Sequence, residues 1–241
     1  MKNVQRWSAL GAGVCAALVL VSGCGKGNGN GFGFGGSGSG GGGAAQATAA
    51  ASGANQGGGG SGGGFGQCQA SAVPGCLMPK PDNTSTPTGS TWAKDGAMSE
   101  TDYVNYFATG ADEQAKERDE LSADQFVSAG HVHWQGTHQV AEEITLAGFG
   151  STTGATKWID VDNNAYADDT KLTSPSIPGV WMFAIETPAN DGTYTYAGFG
   201  RFGKIVMEVY AYSKAKDDPY AENQLATTAA TQAGILKRAA S

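Results

Sequence analysis

Between Gly25 and Gly66 the chain is almost wholly Gly, Ser, Ala, Asn and Gln, interrupted by one charge at Lys26 and by Phe32, Phe34 and Phe65. Such a segment has almost nothing to bury, and ordering it costs roughly 1–2 kcal/mol of backbone entropy per residue that no packing offsets. It is expected to be a disordered coil, so whatever folds must lie outside it. A glycine-rich coil of this length averages ~35 Å end to end and reaches several times that when drawn out. That is the behaviour of a tether, and its phenylalanines read as incidental.

The residues before the tether have the order of an export signal. Lys2 and Arg6 form a positive start, Ala9 to Val21 form an apolar stretch broken by Gly11 and Gly13, and the small Ser22 and Gly23 precede Cys24. A spanning helix needs roughly 20 apolar residues, and this run is shorter and is not closed by a positive cluster. Val21-Ser22-Gly23-Cys24 resembles the lipobox of bacterial lipoproteins. The resemblance implies that residues 1–23 are cut away and that the Cys24 thiol receives a diacylglycerol. It also implies that the protein sits lipid-anchored on the extracytoplasmic face of the cell membrane. More than one acyl chain is needed for stable anchoring, and a diacylglycerol brings two.

The formal net charge of −7 argues against nucleic acid and against an anionic membrane surface as electrostatic partners, since both demand a basic face. Cys15 leaves with the signal peptide and Cys24 is lipidated, so Cys68 and Cys76 remain in an oxidising compartment, where a disulfide is expected. Pro74-Gly75 favours the turn that would bring them together. Their spacing does not match the two intervening residues usual for zinc or redox pairs. From Met78 to Thr91 the chain is rich in Pro, Ser and Thr, a semi-rigid spacer with the composition of an O-glycosylation target. The expected division is a signal peptide over 1–23, the lipidated cysteine and tether over 24–66, the cysteine pair and linker over 67–91, and one folded domain over 92–241.

In that last segment Ser99-Glu100-Thr101-Asp102 is a candidate capping box ahead of Tyr103, Val104, Phe107 and Ala108, predicting a helix over 99–109. Residues 111–121 are highly charged and read as a solvated helical turn or loop. Phe126 to Trp134 alternates as a strand, with Phe126, Val132 and Trp134 on one face and Val127, His131 and His133 on the other. Val140, Ile144, Ala147 and Gly148 recur at helical spacing, predicting a helix that closes near Gly154, after which 157–169 reads as acidic and turn-rich. Residues 179–186, 193–200 and 204–212 are rich in aromatic and β-branched side chains and predict an antiparallel meander, with turns at Asn190-Asp191-Gly192 and Phe202-Gly203. Ala221, Leu225, Ala229, Gln232 and Leu236 form a helical stripe ending on Lys237 and Arg238, which suit the negative end of a helix dipole. The fold class is α+β, an antiparallel sheet with helices packed on one face.

Phe149-Gly150-Ser151 with Gly154-Ala155, Ile177-Pro178-Gly179, and Gly200-Arg201-Phe202-Gly203-Lys204 running into Ile205 to Val209 resemble the layout of uncharacterised actinobacterial lipoproteins. The resemblance covers roughly the last 110 residues and implies an exported α+β domain. It carries over no catalytic residue.

Three groups are candidates for chemistry. All histidines of the chain, His131, His133 and His138, lie within eight residues. On a strand His131 and His133 share a face, as metal sites require, and Glu142 or Glu143 could complete a set. The cluster lacks an independent third ligand, so the reading is that no metal and no cofactor is bound. Asp160, Asp162, Asn164 and Asp168 are spaced as in a calcium loop, but Ala165 stands where glycine and Lys171 where glutamate belong, which leaves an acidic turn. The aromatic set Trp134, Trp158, Trp181, Phe183, Tyr194, Tyr196, Tyr210 and Tyr212 should divide between core and surface, where exposed rings suit glycan, lipid or peptide. In the folded part, 92–241, no nucleophile elbow, phosphate-cradling loop or zinc-protease helix is present. The expected protein is a lipid-anchored surface binding or sensor-like module for a cell-wall, small-molecule or peptide ligand, without catalytic residues. The alternatives are an exported metal-dependent enzyme built on His131, His133 and His138, and a structural envelope protein.

Overall fold

A computed structural model describes residues 68–85, 95–173, 176–189 and 191–240. The signal segment, Cys24, the tether and part of the Pro/Ser/Thr linker lie outside the described residues.

Seven strands form one antiparallel sheet: β1 (Gly96–Met98), β2 (Phe126–Gln135), β3 (Ala141–Phe149), β4 (Thr170–Leu172), β5 (Val180–Ala184), β6 (Tyr194–Phe202) and β7 (Ile205–Ser213). Their order is β1-β2-β3-β7-β6-β5-β4. The meander β5–β6–β7 stands where the sequence placed it. Its β6–β7 hairpin pairs Phe202 with Ile205 across a tight turn, and Gly203 takes the positive φ of 62° that this turn asks of one residue. The helices are α1 (Glu100–Phe107), α2 (Ala111–Ala123), α3 (Thr152–Ala165) and α4 (Pro219–Ala240). The capping box holds α1: the Asp102 amide donates to Ser99 Oγ at 3.1 Å and the Ser99 amide donates to Asp102 Oδ2 at 3.1 Å.

The α+β class holds, but the helices cover both faces of the sheet. On one face Val132, Trp134, Ile144, Leu146, Met207 and Val209 pack under Leu225, Ala229 and Leu236 of α4. On the other, Ala147, Phe149, Phe199, Val206 and Tyr210 pack under Tyr103 and Val104 of α1, Leu121 of α2 and Trp158 and Ile159 of α3. Two-sided cover explains three differences from the sequence reading. Residues 141–149, expected as helix, are strand β3, buried at every position, and the polar-out alternation that marks a half-exposed strand is lost. The stretch at 157–169, expected as turns, is mostly α3, and it buries Ala155, Trp158, Ile159 and Asp162 at the spacing of one helix face. Asp160, Asp162 and Asn164 are therefore helical and do not form a calcium loop. The charged stretch 111–121 is the helix α2, anchored by the fully buried Leu121.

The ordered domain also begins before Trp92. A one-turn 3-10 helix at Val73–Cys76 follows a bend and lies on the sheet under α4, with Val73, Cys76 and Met78 in the core. Gln232 of α4 grips it, donating through Nε2 to the Cys76 carbonyl at 2.8 Å and accepting from the Met78 amide at 2.8 Å. The sheet makes room with glycine: a Cβ on Gly148 would lie 2.0 Å from the Ala70 carbonyl oxygen, and one on Gly130 2.9 Å from Pro74 Cα. The expected bridge is not formed, and Cys68 and Cys76 are free thiols. Burial, followed by a hydrogen bond with the Cys68 thiol, pushes the Cys76 thiol up to about 12.

Candidate functional site

The face covered by α1 and α3 carries a buried polar network instead of a uniform hydrocarbon core. Alternation along β2 points His131 and His133 to this face, and pairing with β3 sets Glu143 directly across from His133. His131 and Glu143 are fully buried, and His133 is nearly so at 6%. The two imidazoles stack with centroids 5.3 Å apart. His131 Nε2 lies 3.4 Å from Glu143 Oε2, while His131 Nδ1 has no hydrogen-bond partner among the described residues.

Glu143 is closed off on its other sides. It accepts from the Tyr212 hydroxyl at 2.7 Å and from the Tyr106 hydroxyl of α1 in a short hydrogen bond. Burial, reinforced by the Glu143 charge, holds both phenols well above their ordinary range, so they stay protonated and donate. Further along the face, Glu208 accepts from Tyr103 at 3.1 Å, Trp158 Nε1 at 3.4 Å and Tyr210 at 3.1 Å. Each buried carboxylate thus spends its acceptors on aromatic donors that tie the covering helices to the sheet. That is a structural use of charge, since removing one partner of such a set costs far more than the set contributes net.

The open side of the network is at β1. Asp95, just before that strand, is brought over β2 by the pairing of Gly96 with His131. Its Oδ1 lies 2.8 Å from His133 Nδ1 and accepts from the His133 amide at 3.0 Å, while Lys80 Nζ sits 2.6 Å from Oδ2. Burial acts to raise the Asp95 carboxyl, but the hydrogen bonds from Lys80 and the His133 amide, with the charges of both side chains, hold it below the ordinary carboxylate range. Desolvation of the ring outweighs the Asp95 charge and lowers His133, which favours the neutral imidazole at pH 7.

Two sequence candidates go elsewhere. His138 sits at positive φ (57°) in the β2–β3 turn, exposed, with its ring stacked on Tyr220 of α4 at 3.9 Å, so it does not join the other histidines. Glu142 points to the opposite face, accepting from Trp134 Nε1 at 3.0 Å and Thr228 Oγ1 at 2.5 Å. Sequence reasoning missed Asp95, which lies far from the histidines along the chain, and the tyrosine donors. Of the aromatic set, Trp134, Trp158, Phe183, Tyr196, Tyr210 and Tyr212 are core and Trp181 is 38% exposed.

A separate open cavity of about 470 Å³ lies at one end of the sheet, lined by Cys68, Ala70, Val127, Phe149, Phe202 and Ile205 among others. Among the described residues Lys204 is the one charged residue in its wall, and no histidine or carboxylate lines it. Its volume is within the range of small-molecule sites. No helix among the described residues is long and apolar enough to cross a membrane.

No known family model matches the sequence, and no curated protein does. Among solved structures, the extracellular domain of PknH from Mycobacterium tuberculosis is similar at a TM-score of 0.35 and 7% identity, over 48% of this chain and 69% of that one. A likeness of that size does not assign a function.

Proposed function

We propose that this chain is an exported lipoprotein that holds a ligand-binding α+β domain outside the cell membrane on a glycine-rich tether. The order of signal segment, lipobox and tether supports the address. The cavity carries the binding reading: among the described residues it is walled mainly by apolar side chains, with a single cation at Lys204 and no histidine or carboxylate for acid–base chemistry, while Glu143 and Glu208 are committed to aromatic donors. An apolar hollow with one positive charge suits an amphiphile with an anionic head group.

The address is checked with Cys24→Ala expressed in a bacterium fed a palmitate analogue. Wild type should be labelled and membrane-bound, and the variant should lose essentially all label. Label that persists would remove the lipobox assignment.

The binding site is checked by titrating a fluorescent long-chain fatty acid into the mature protein, with the matching alcohol as comparison. Saturable binding of the acid is expected, weakened about tenfold by Lys204→Glu, a change of about 1.4 kcal/mol. The alcohol should be little affected. Val127→Asp, at a residue 46% exposed, should weaken both. Unsaturable binding, or affinities indifferent to both substitutions, would rule the cavity out as the site.

A further inference from the structure

We infer that Asp95, His131 and His133 form a binding site for a divalent transition-metal ion, separate from the cavity and sharing no residue with it. One potential ligand atom from each of the three lies within 4.8 Å of the others. Ligand atoms held about 2.0–2.2 Å from a single ion can be at most about 4 Å apart, so closing the set takes about an ångström of side-chain movement. Asp95, whose side chain is 36% exposed, is the member of the set with the most room to move. The same exposure gives the ion a way in.

The geometry around His131 is the observation that points to an ion. A metal-bound imidazole characteristically donates its other ring N–H to a carboxylate, which fixes the tautomer and raises the basicity of the ligating nitrogen. Glu143 stands in that place, 3.4 Å from Nε2, and is itself held by Tyr106 and Tyr212. With Nε2–H directed to Glu143, Nδ1 carries the lone pair, and it is buried without a hydrogen-bond partner among the described residues. A buried polar atom left in that state costs about 1–3 kcal/mol, which ligation would recover.

Charge and donor type select the ion. Two nitrogens and one carboxylate oxygen suit Zn²⁺, Co²⁺ or Ni²⁺ and not the all-oxygen shells of Ca²⁺ and Mg²⁺. Asp95 now holds the ammonium of Lys80, itself 31% exposed, and an entering dication would replace it. Three protein ligands leave one tetrahedral position for water or for a ligand group.

The experiment uses the mature protein, purified without a histidine tag and freed of metal with a chelator, titrated with Zn²⁺ by calorimetry and with Co²⁺ by visible absorption. One equivalent of each is expected, with Co²⁺ giving the d–d bands of a nitrogen- and oxygen-ligated ion. Asp95→Asn, at the exposed ligand where the fold is not at risk, and His133→Ala should each lower Zn²⁺ affinity at least about tenfold. His138→Ala should leave it unchanged, and Ca²⁺ should give no comparable heat. Absence of one-equivalent binding would overturn the inference. So would Zn²⁺ affinity unaltered in Asp95→Asn while that variant melts as wild type does.

Discussion

Replacing Gly154 by alanine should cost the domain about 3–5 kcal/mol, a loss in the upper range for single substitutions. For a domain of this size that is a fall in Tm on the order of 10 °C or more. The cause is contact between two backbones. Gly154 lies in the first turn of α3, where the Ser151 hydroxyl caps its amide at 3.0 Å, and a Cβ there would sit 2.0 Å from the carbonyl oxygen of Asp124, which closes α2. Neither partner is a flexible side chain that can turn aside, so the α2–β2 corner or the start of α3 must move. Gly234→Ala in α4 is the control with opposite sign. The added methyl there meets only Arg238 Nη1 at 3.6 Å, and alanine in a helix interior is favoured over glycine by about 1 kcal/mol. Thermal melts of the two variants side by side decide it; a Gly154→Ala protein that melts within 2 or 3 °C of wild type would mean the close approach is not real.

The sequence makes those two glycines look alike, and the same limit marks what was legible in this chain. The α1 capping box, the β5–β7 meander and the α4 stripe each rest on a local pattern, and local patterns survive into the fold. Residues 141–149 do not, because a strand covered on both faces has no polar side to alternate with. Its adjacent glutamates conceal it further, Glu142 serving Trp134 and Thr228 on one face while Glu143 serves Tyr106 and Tyr212 on the other. In α3 the apolar positions Ala155, Trp158 and Ile159 did recur at helical spacing, but the acidic and amide residues that follow them, Asp160, Asp162, Asn163 and Asn164, read as turn. The candidate metal site divides in the same way. Strand alternation alone joins His131 to His133, whereas Asp95 arrives through the long-range pairing of Gly96 with His131, and nothing near Asp95 in the sequence announces that partner.

Glu208→Leu should be about as damaging as Gly154→Ala for the opposite reason, the loss of an acceptor where space is already filled. Glu208 is 2% exposed and accepts from α1 through Tyr103, from α3 through Trp158 and from its own strand through Tyr210, so one carboxylate holds two helices to the sheet. Leucine is close to it in volume and creates no large cavity, which isolates the polar cost. Removing the acceptor of three buried hydrogen bonds, at about 1–3 kcal/mol for each donor stripped of its partner, gives an expected loss of about 4 kcal/mol after partial relaxation. Glu208→Gln should cost about 1 kcal/mol, since its amide keeps one acceptor oxygen and the Tyr210 hydroxyl can rotate to accept from the new NH₂. Removing the donors together with the acceptor should restore stability, because an apolar replacement of a whole buried polar set is often neutral. Glu208→Leu combined with Tyr103→Phe and Tyr210→Phe should therefore be more stable than Glu208→Leu alone, a positive coupling readable in a mutant cycle of denaturant midpoints. If the three substitutions simply add, the network does not act as a unit, and Glu208 is an incidental buried acid instead of the link between helices and sheet.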